Sequence, residues 1–192
     1  MISHEHKCIF IHPSRNGGKS IEKALFGVTP VFGSSDHRTL VDWQQKLGKK
    51  TFNNYFKFVF VRNPWDRLVS IYHYVLENYS FFYPTDEKIR GDFRSFNAFI
   101  TKCQPYLKRT KAQYNWLTNI NENIGVDFIG RVENYEKDWK KVCEQLNIGD
   151  VCLPHLNKSS HEKYWTYYDE HLEEIVADKF KEDIELFDYK FK

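Results

Sequence analysis

The sequence predicts an α/β protein with a central parallel sheet flanked by helices, and three observations lead there. A short apolar run followed by a polar turn and a helix-spaced segment occurs three times along the chain. The first run, "KCIFIH" at 7–12, is apolar without alternation, as a strand covered on both faces should be, and "FKFVFVR" at 56–62 repeats the pattern. The residues able to hold an anion gather just after these two runs, where parallel α/β sheets bind ligands.

The elements follow in order. After "KCIFIH" a helix is expected from Gly18 to Phe26. After the second run, Asn63 is placed as an N-cap, Pro64 as the first helical residue and Asp66 as an acid in the first turn. The apolar stripe of this helix is Leu68, Val69, Tyr72, Val75 and Leu76. The third unit reads as a strand from Asp127 to Arg131 and a helix from Tyr135 to Leu146. Near the end, Asp169 caps a helix carrying Leu172, Ile175, Val176, Phe180 and Ile184 at helical spacing.

Composition sets the limits. With 192 residues, 41% hydrophobic and 17% aromatic, the chain can build one ordinary core. No repeat, low-complexity tract or linker divides it, so a single domain over 1–192 is expected. The 28 Lys and Arg nearly balance 26 Asp and Glu, which argues against a global attraction to nucleic acid or anionic lipid. Any anion site must be local. The start, "MISHEHK", lacks the features of a signal peptide, and no stretch approaches the ~18 apolar residues of a membrane span. Cys8, Cys103, Cys143 and Cys152 form no CxxC pair and are expected as reduced, buried thiols. The sequence carries no signal of oligomeric state.

The loop "HPSRNGGKS" at 12–20 joins the first strand to the first helix, a geometry in which backbone N–H groups and a helix N-terminus face an anion. Gly17 and Gly18 permit close approach, while Arg15, Lys19 and Ser20 add a planar cation, a point charge and a hydroxyl. As a nucleotide-binding loop of the pattern GxxxxGK[ST], the segment departs only at Pro13. A P-loop kinase or NTPase, a non-catalytic nucleotide-binding module and a glycine-rich turn with solvated charges all remain open on this segment alone. In "FVFVRNPWDRLVSIYHY", Arg62 follows the second strand and Ser70 lies eight residues later on the next helix. Taken alone, Arg62 reads better as paired to a carboxylate such as Asp66 and Ser70 as a small packing residue. Beside the first loop, a second anion site here suits a ligand with two separated anionic groups, whereas a nucleoside triphosphate carries its phosphates in one chain.

These residues resemble the sulfotransferase family that includes bacterial enzymes and the Golgi carbohydrate sulfotransferases, which use 3′-phosphoadenosine 5′-phosphosulfate (PAPS). The likeness runs from Cys8 to Phe191 through "FVFVRNPWDRLVSIYHY", "DFIGRVENYEKDW", "LPHLNKSSHEKYWTYY" and "DIELFDYKF". Gln113 and Trp116-Leu117 also resemble a family segment. The resemblance implies a P-loop-like three-layer fold, PAPS as co-substrate with PAP as product, no required metal, and an acceptor hydroxyl, that of a glycan. It assigns the 5′-phosphosulfate to the loop Arg15, Asn16, Gly17, Gly18, Lys19 and Ser20, and the 3′-phosphate to Arg62 and Ser70. It also brings Lys158, Ser159 and Ser160 near the nucleotide as part of a late closing loop. Where the family usually reads IPKTGGTS, this chain has Arg15 for the Lys, Asn16 for the first Thr and Lys19 for the second. Arg15 is favoured by register to stabilise the leaving phosphate, with Lys19 as auxiliary. Family members of the Golgi carry a membrane anchor, and a chain that starts almost at its first strand is expected to be a minimal cytoplasmic enzyme.

Sulfuryl transfer needs positioned cations at the leaving phosphate and a base for the acceptor hydroxyl. His37, in "PVFGSSDHRTLVDW" between an expected strand and a helix, is the first choice among the eight histidines, and relatives commonly have a histidine in this region. His12, at the end of the first strand, is second and has a loop-fixing role as its plainer reading. His73, His155 and His161 are expected to be structural.

Overall fold

The computed structural model describes residues 1–27, 36–78, 95–103, 110–119, 123–154 and 161–192. The chain divides into two compact units, each assembled from two stretches: residues 1–62 with 113–158, and 63–112 with 159–192.

The first unit holds the sheet, a four-stranded array in the order β1 (Ile2–Ser3), β2 (Cys8–Ile11), β3 (Phe56–Val61) and β4 (Phe128–Arg131). β2, β3 and β4 run parallel, with Phe10 opposite Phe58 and Phe58 opposite Phe128, and the two-residue β1 pairs antiparallel to β2. The α/β expectation holds, with strand ends shifted by one residue and β1 added. Alternate residues Cys8, Phe10, Phe58 and Phe60 build one core with Ile21 and Leu25 of α1 (Gly18–Phe26) and with Trp139, Val142 and Cys143 of the helix at Tyr135–Leu146. The other alternation, Ile9, Ile11, Val59 and Val61, is also fully buried, which explains the unbroken apolar runs. α2 (Leu40–Asn53) starts from a capping box in which the Thr39 side chain accepts from Asp42 N–H and the Asp42 carboxylate from Thr39 N–H.

The second unit is helical. α3 (Pro64–Glu77) starts as expected, the Asn63 side chain accepting from Trp65 N–H and Asp66 N–H at 3.0 and 3.3 Å. α4 (Phe96–Ala98) runs into a π-turn over Phe99–Cys103. In the first unit, α5 (Tyr114–Leu117) and α6 (Tyr135–Leu146) follow; in the second, α7 (Glu170–Lys179) and α8 (Lys181–Phe187) close the chain. Leu68, Val69, Tyr72 and Val75 of α3 pack with Phe96, Phe99, Leu172, Val176 and Phe180. Each such side chain, fully buried, contributes roughly 1.5–3 kcal/mol.

Two expectations change, and a third lies outside the described residues. The stripe read as one terminal helix is two, broken at Phe180, which caps the end of α7 and the start of α8. The break keeps Leu172, Val176, Phe180 and Ile184 in one core. Cys8 and Cys143 are buried, but Cys152 is exposed because it lies on the irregular stretch after α6. The strand expected before His37 falls at 28–35, outside the described residues.

Candidate functional site

β2 and β3 are neighbours in the sheet, so the loops leaving them emerge side by side. The loop after β2 has Arg15 at φ 68° and Gly17 at φ 74°. A left-handed arginine costs on the order of 1–3 kcal/mol, and such strain collects at functional turns. Gly17 has a second constraint, since a Cβ there would lie 2.8 Å from the Tyr135 phenol. At Gly18 a Cβ would run into the His12 imidazole. α1 therefore begins on bare backbone: its N-cap is Gly17, no side chain caps it, and its first turn has no acid. A helix start of this kind presents backbone N–H groups and the positive end of the helix dipole.

The loop is held from beneath. Tyr135 donates its hydroxyl to the Gly17 carbonyl at 2.5 Å, and burial pushes its phenol pKa up, so it remains a donor. Asn16, 1% exposed, donates from Nδ2 to the Phe60 carbonyl and to Gln113 Oε1, both at 2.7 Å. Gln113 also accepts from Arg62 N–H at 2.9 Å and donates to the Arg62 carbonyl at 2.8 Å. Arg62 reaches back, its Nη1 donating to the Arg15 carbonyl at 3.2 Å. Arg15, Asn16, Gly17, Gly18, Lys19, Ser20 and Arg62 are thus brought together at the carboxyl ends of β2 and β3 in the first unit.

His37 lies beside the end of β2. Its Nδ1 donates to the His12 carbonyl at 2.8 Å, a contact that only a protonated Nδ1 can make, so the neutral ring carries its lone pair on Nε2. Its own carbonyl accepts from Trp116 Nε1 at 3.2 Å. The His12 and His37 rings are 4.7 Å apart between centroids. His12 is not arranged as the base. It is 4% exposed, its Nδ1 is 3.0 Å from the buried Glu22 carboxylate, and burial lowers its pKa against the opposing pull of Glu22. The Lys19 charge adds to that lowering.

Ser70 is fully buried on α3 in the second unit. Lys158, Ser159 and Ser160 lie outside the described residues, as does His155. His73 stacks on His161 and pairs through Nε2 with the Tyr167 hydroxyl at 2.8 Å, the structural role expected of it. Sequence reasoning left Gln113 without a role and passed over Tyr135 and Glu22. Tyr135 and Gln113 stood in quoted family-like segments; Glu22 had no signal beyond being an acid on an apolar helix face.

A family model described as "Sulfotransferase family" matches residues 29–190. The chain belongs to the sulfotransferase family. The match takes in His37, Arg62 and Ser70 and begins beyond the loop at 12–20. An uncharacterized protein of Archaeoglobus fulgidus is 30% identical over 122 residues, covering 63% of this chain and 92% of that one. Carbohydrate sulfotransferase 14 of Danio rerio is 24% identical over 176 residues, covering 76% of this chain but 47% of its own length, so the chain matches about half of that relative. No solved structure matches this family member significantly. Among the described residues, no helix is long and apolar enough to cross a membrane.

Proposed function

We propose that the protein is a PAPS-dependent sulfotransferase acting on a hydroxyl, that of a carbohydrate in the first instance, and that its two units work as one catalytic domain. The observation carrying this reading is the pairing of two cation-bearing strand ends through the Arg62–Arg15 contact. Neighbouring parallel strands present one cluster on an uncapped helix start and a second cation beside it, which suits a ligand with two separated anionic groups. The donor set fits such a ligand, and Gly17 and Gly18 let the Tyr135 phenol and the His12 imidazole pack close against the loop that carries it.

In this reading the loop from Arg15 to Ser20 binds the 5′-phosphosulfate, with Arg15 and Lys19 stabilising the charge that grows on the leaving phosphate. Arg62 binds the 3′-phosphate. Ser70 stays in that set, and Lys158, Ser159 and Ser160 stay near the nucleotide, on the strength of the family resemblance. His37 Nε2 accepts the proton of the acceptor hydroxyl as its oxygen forms a bond to sulfur and the bond from sulfur to the phosphate oxygen breaks. The carbohydrate acceptor is supported by the resemblance and by the name of the zebrafish relative.

Calorimetry with PAP, with ATP and with ATP plus Mg²⁺ tests the reading. Metal-independent PAP binding without ATP binding is expected; Mg²⁺-dependent ATP binding without PAP binding would replace it with the kinase reading that Lys19 and Ser20 suggest. Mass spectrometry of candidate glycans incubated with PAPS then identifies the acceptor by a sulfate-sized gain.

A further inference from the structure

The amide of Gln113 has a use that neither core packing nor ligand contact requires. β2 ends its pairing with β3 at Ile11 opposite Val59, and there the chain turns away into the loop. Beyond that point the backbone of β3 and its exit still needs partners. Two side-chain amides supply them: Asn16 takes the Phe60 carbonyl, and Gln113 takes both the N–H and the carbonyl of Arg62. Gln113 thereby continues the sheet by one rung with a side chain in place of a strand.

The orientation of this amide is determined. Arg62 N–H can only donate and Arg62 C=O can only accept, so Oε1 must face the first and Nε2 the second. Oε1 spends its second lone pair on Asn16 Nδ2 at 2.7 Å. Gln113 is 0% exposed, so these bonds are shielded from competing water. One side chain therefore joins the backbone of Arg62 to a residue in the middle of the Arg15–Ser20 loop. Gln113 sits immediately before α5, whose Trp116 holds the His37 carbonyl, so the same short element fixes the proposed base as well.

We propose that Gln113 is a positioning residue: it sets the distance between Arg62 and the Arg15–Ser20 loop, and so makes the site selective for a ligand with two separated anionic groups over one with a single group. The inference rests on the functional reading above, and its test separates the two. PAP and 5′-AMP, which differ by the 3′-phosphate, are titrated into the wild type, Gln113→Met and Gln113→Glu. Met keeps the volume and removes the bonds to Arg62 N–H, the Arg62 carbonyl and Asn16. Glu keeps an acceptor for Arg62 N–H and Asn16 and loses the donor to the Arg62 carbonyl.

The wild type is expected to prefer PAP. Gln113→Met should lower PAP affinity by roughly tenfold or more while 5′-AMP affinity changes by less than about threefold, with Gln113→Glu between the two. With PAPS, KM should rise along with the loss of PAP affinity. If folded Gln113→Met keeps the wild-type preference, the clasp is wrong and the sulfotransferase reading stands. If PAP and 5′-AMP affinities fall in parallel, Gln113 is a general support and the positioning role is overturned. If the wild type binds no PAP, the functional reading fails and the clasp with it. Should Gln113→Met not fold, the PAP to 5′-AMP ratio of Gln113→Glu decides: an unchanged ratio overturns the role and a reduced one supports it.

Discussion

The helices after β2 and β3 begin in opposite ways, although both follow a parallel strand and both lie in segments chosen from the sequence as anion sites. α1 starts on Gly17 with no side-chain cap and no acid in its first turn. α3 starts on Asn63, whose side chain takes two backbone N–H groups, with Pro64 and Asp66 in its first turn. An anion at the start of α1 meets the positive end of the helix; the same end of α3 is already answered by Asn63 and by the Asp66 charge. In the proposed reading the α1 start receives the ligand, whereas the α3 start carries its own side-chain cap. Any anion held near the end of β3 must therefore depend on side chains, which makes Arg62 the group to remove there.

The largest effects should fall on the α1 side. His37→Ala is expected to lower turnover by on the order of 10²–10⁴ and leave PAP affinity intact, since the base acts on the acceptor. Retained turnover would exclude it. Arg15→Ala should cost on the order of 10²–10³ in kcat. If Lys19→Ala costs more than Arg15→Ala, the leaving-phosphate role passes to Lys19. Single-turnover kinetics with PAPS separate these losses from binding. On the β3 side, Arg62→Ala removes a charge-assisted contact worth roughly 1.5–3 kcal/mol of PAP binding, and unchanged affinity in calorimetry would reject the assignment.

The sequence revealed the local half of this comparison and little of the long-range half. The limits of α1 and α6 were legible to the residue, and Asn63 was legible as a cap, because caps, turns and periodicity are written into neighbouring positions. The contact from Asn16 to Gln113 spans 97 residues, and that from Tyr135 to Gly17 spans 118. Side chains that satisfy distant backbone leave no period behind them. Asn16 shows the consequence: placed by its loop among the ligand-binding residues, it commits its amide nitrogen to Phe60 and Gln113. The break at Phe180 was hidden for a related reason, since both halves keep their apolar residues in one core.

A smaller effect should appear at the α3 start. Asn63→Ala removes the cap and the bond from its Nδ2 to the Lys190 carbonyl, at an expected cost of about 1 kcal/mol in chemical denaturation. PAP affinity should stay within about threefold of wild type. A larger loss of binding than of stability would mean that the α3 start takes part in anion binding after all, and the contrast with α1 would collapse.

The last effect is a pH dependence beneath the α1 loop. Burial holds the His12 pKa below its ordinary 6.5, so the folded protein favours the neutral ring more than the unfolded chain does. Its contribution is fully present above pH 6.5 and is lost as pH falls from there toward the lowered folded value. One such group changes stability by at most about 1.4 kcal/mol per pH unit within that window. Denaturation midpoints at pH 7.5 and 5.5 should therefore fall together for wild type and Asn63→Ala, whose cap does not titrate. His12→Asn should show a shallower fall, because the ring that must remain neutral under Gly18 is gone. An equal fall in His12→Asn would mean that the pH dependence comes from other groups, and that the imidazole supports the α1 start by shape alone.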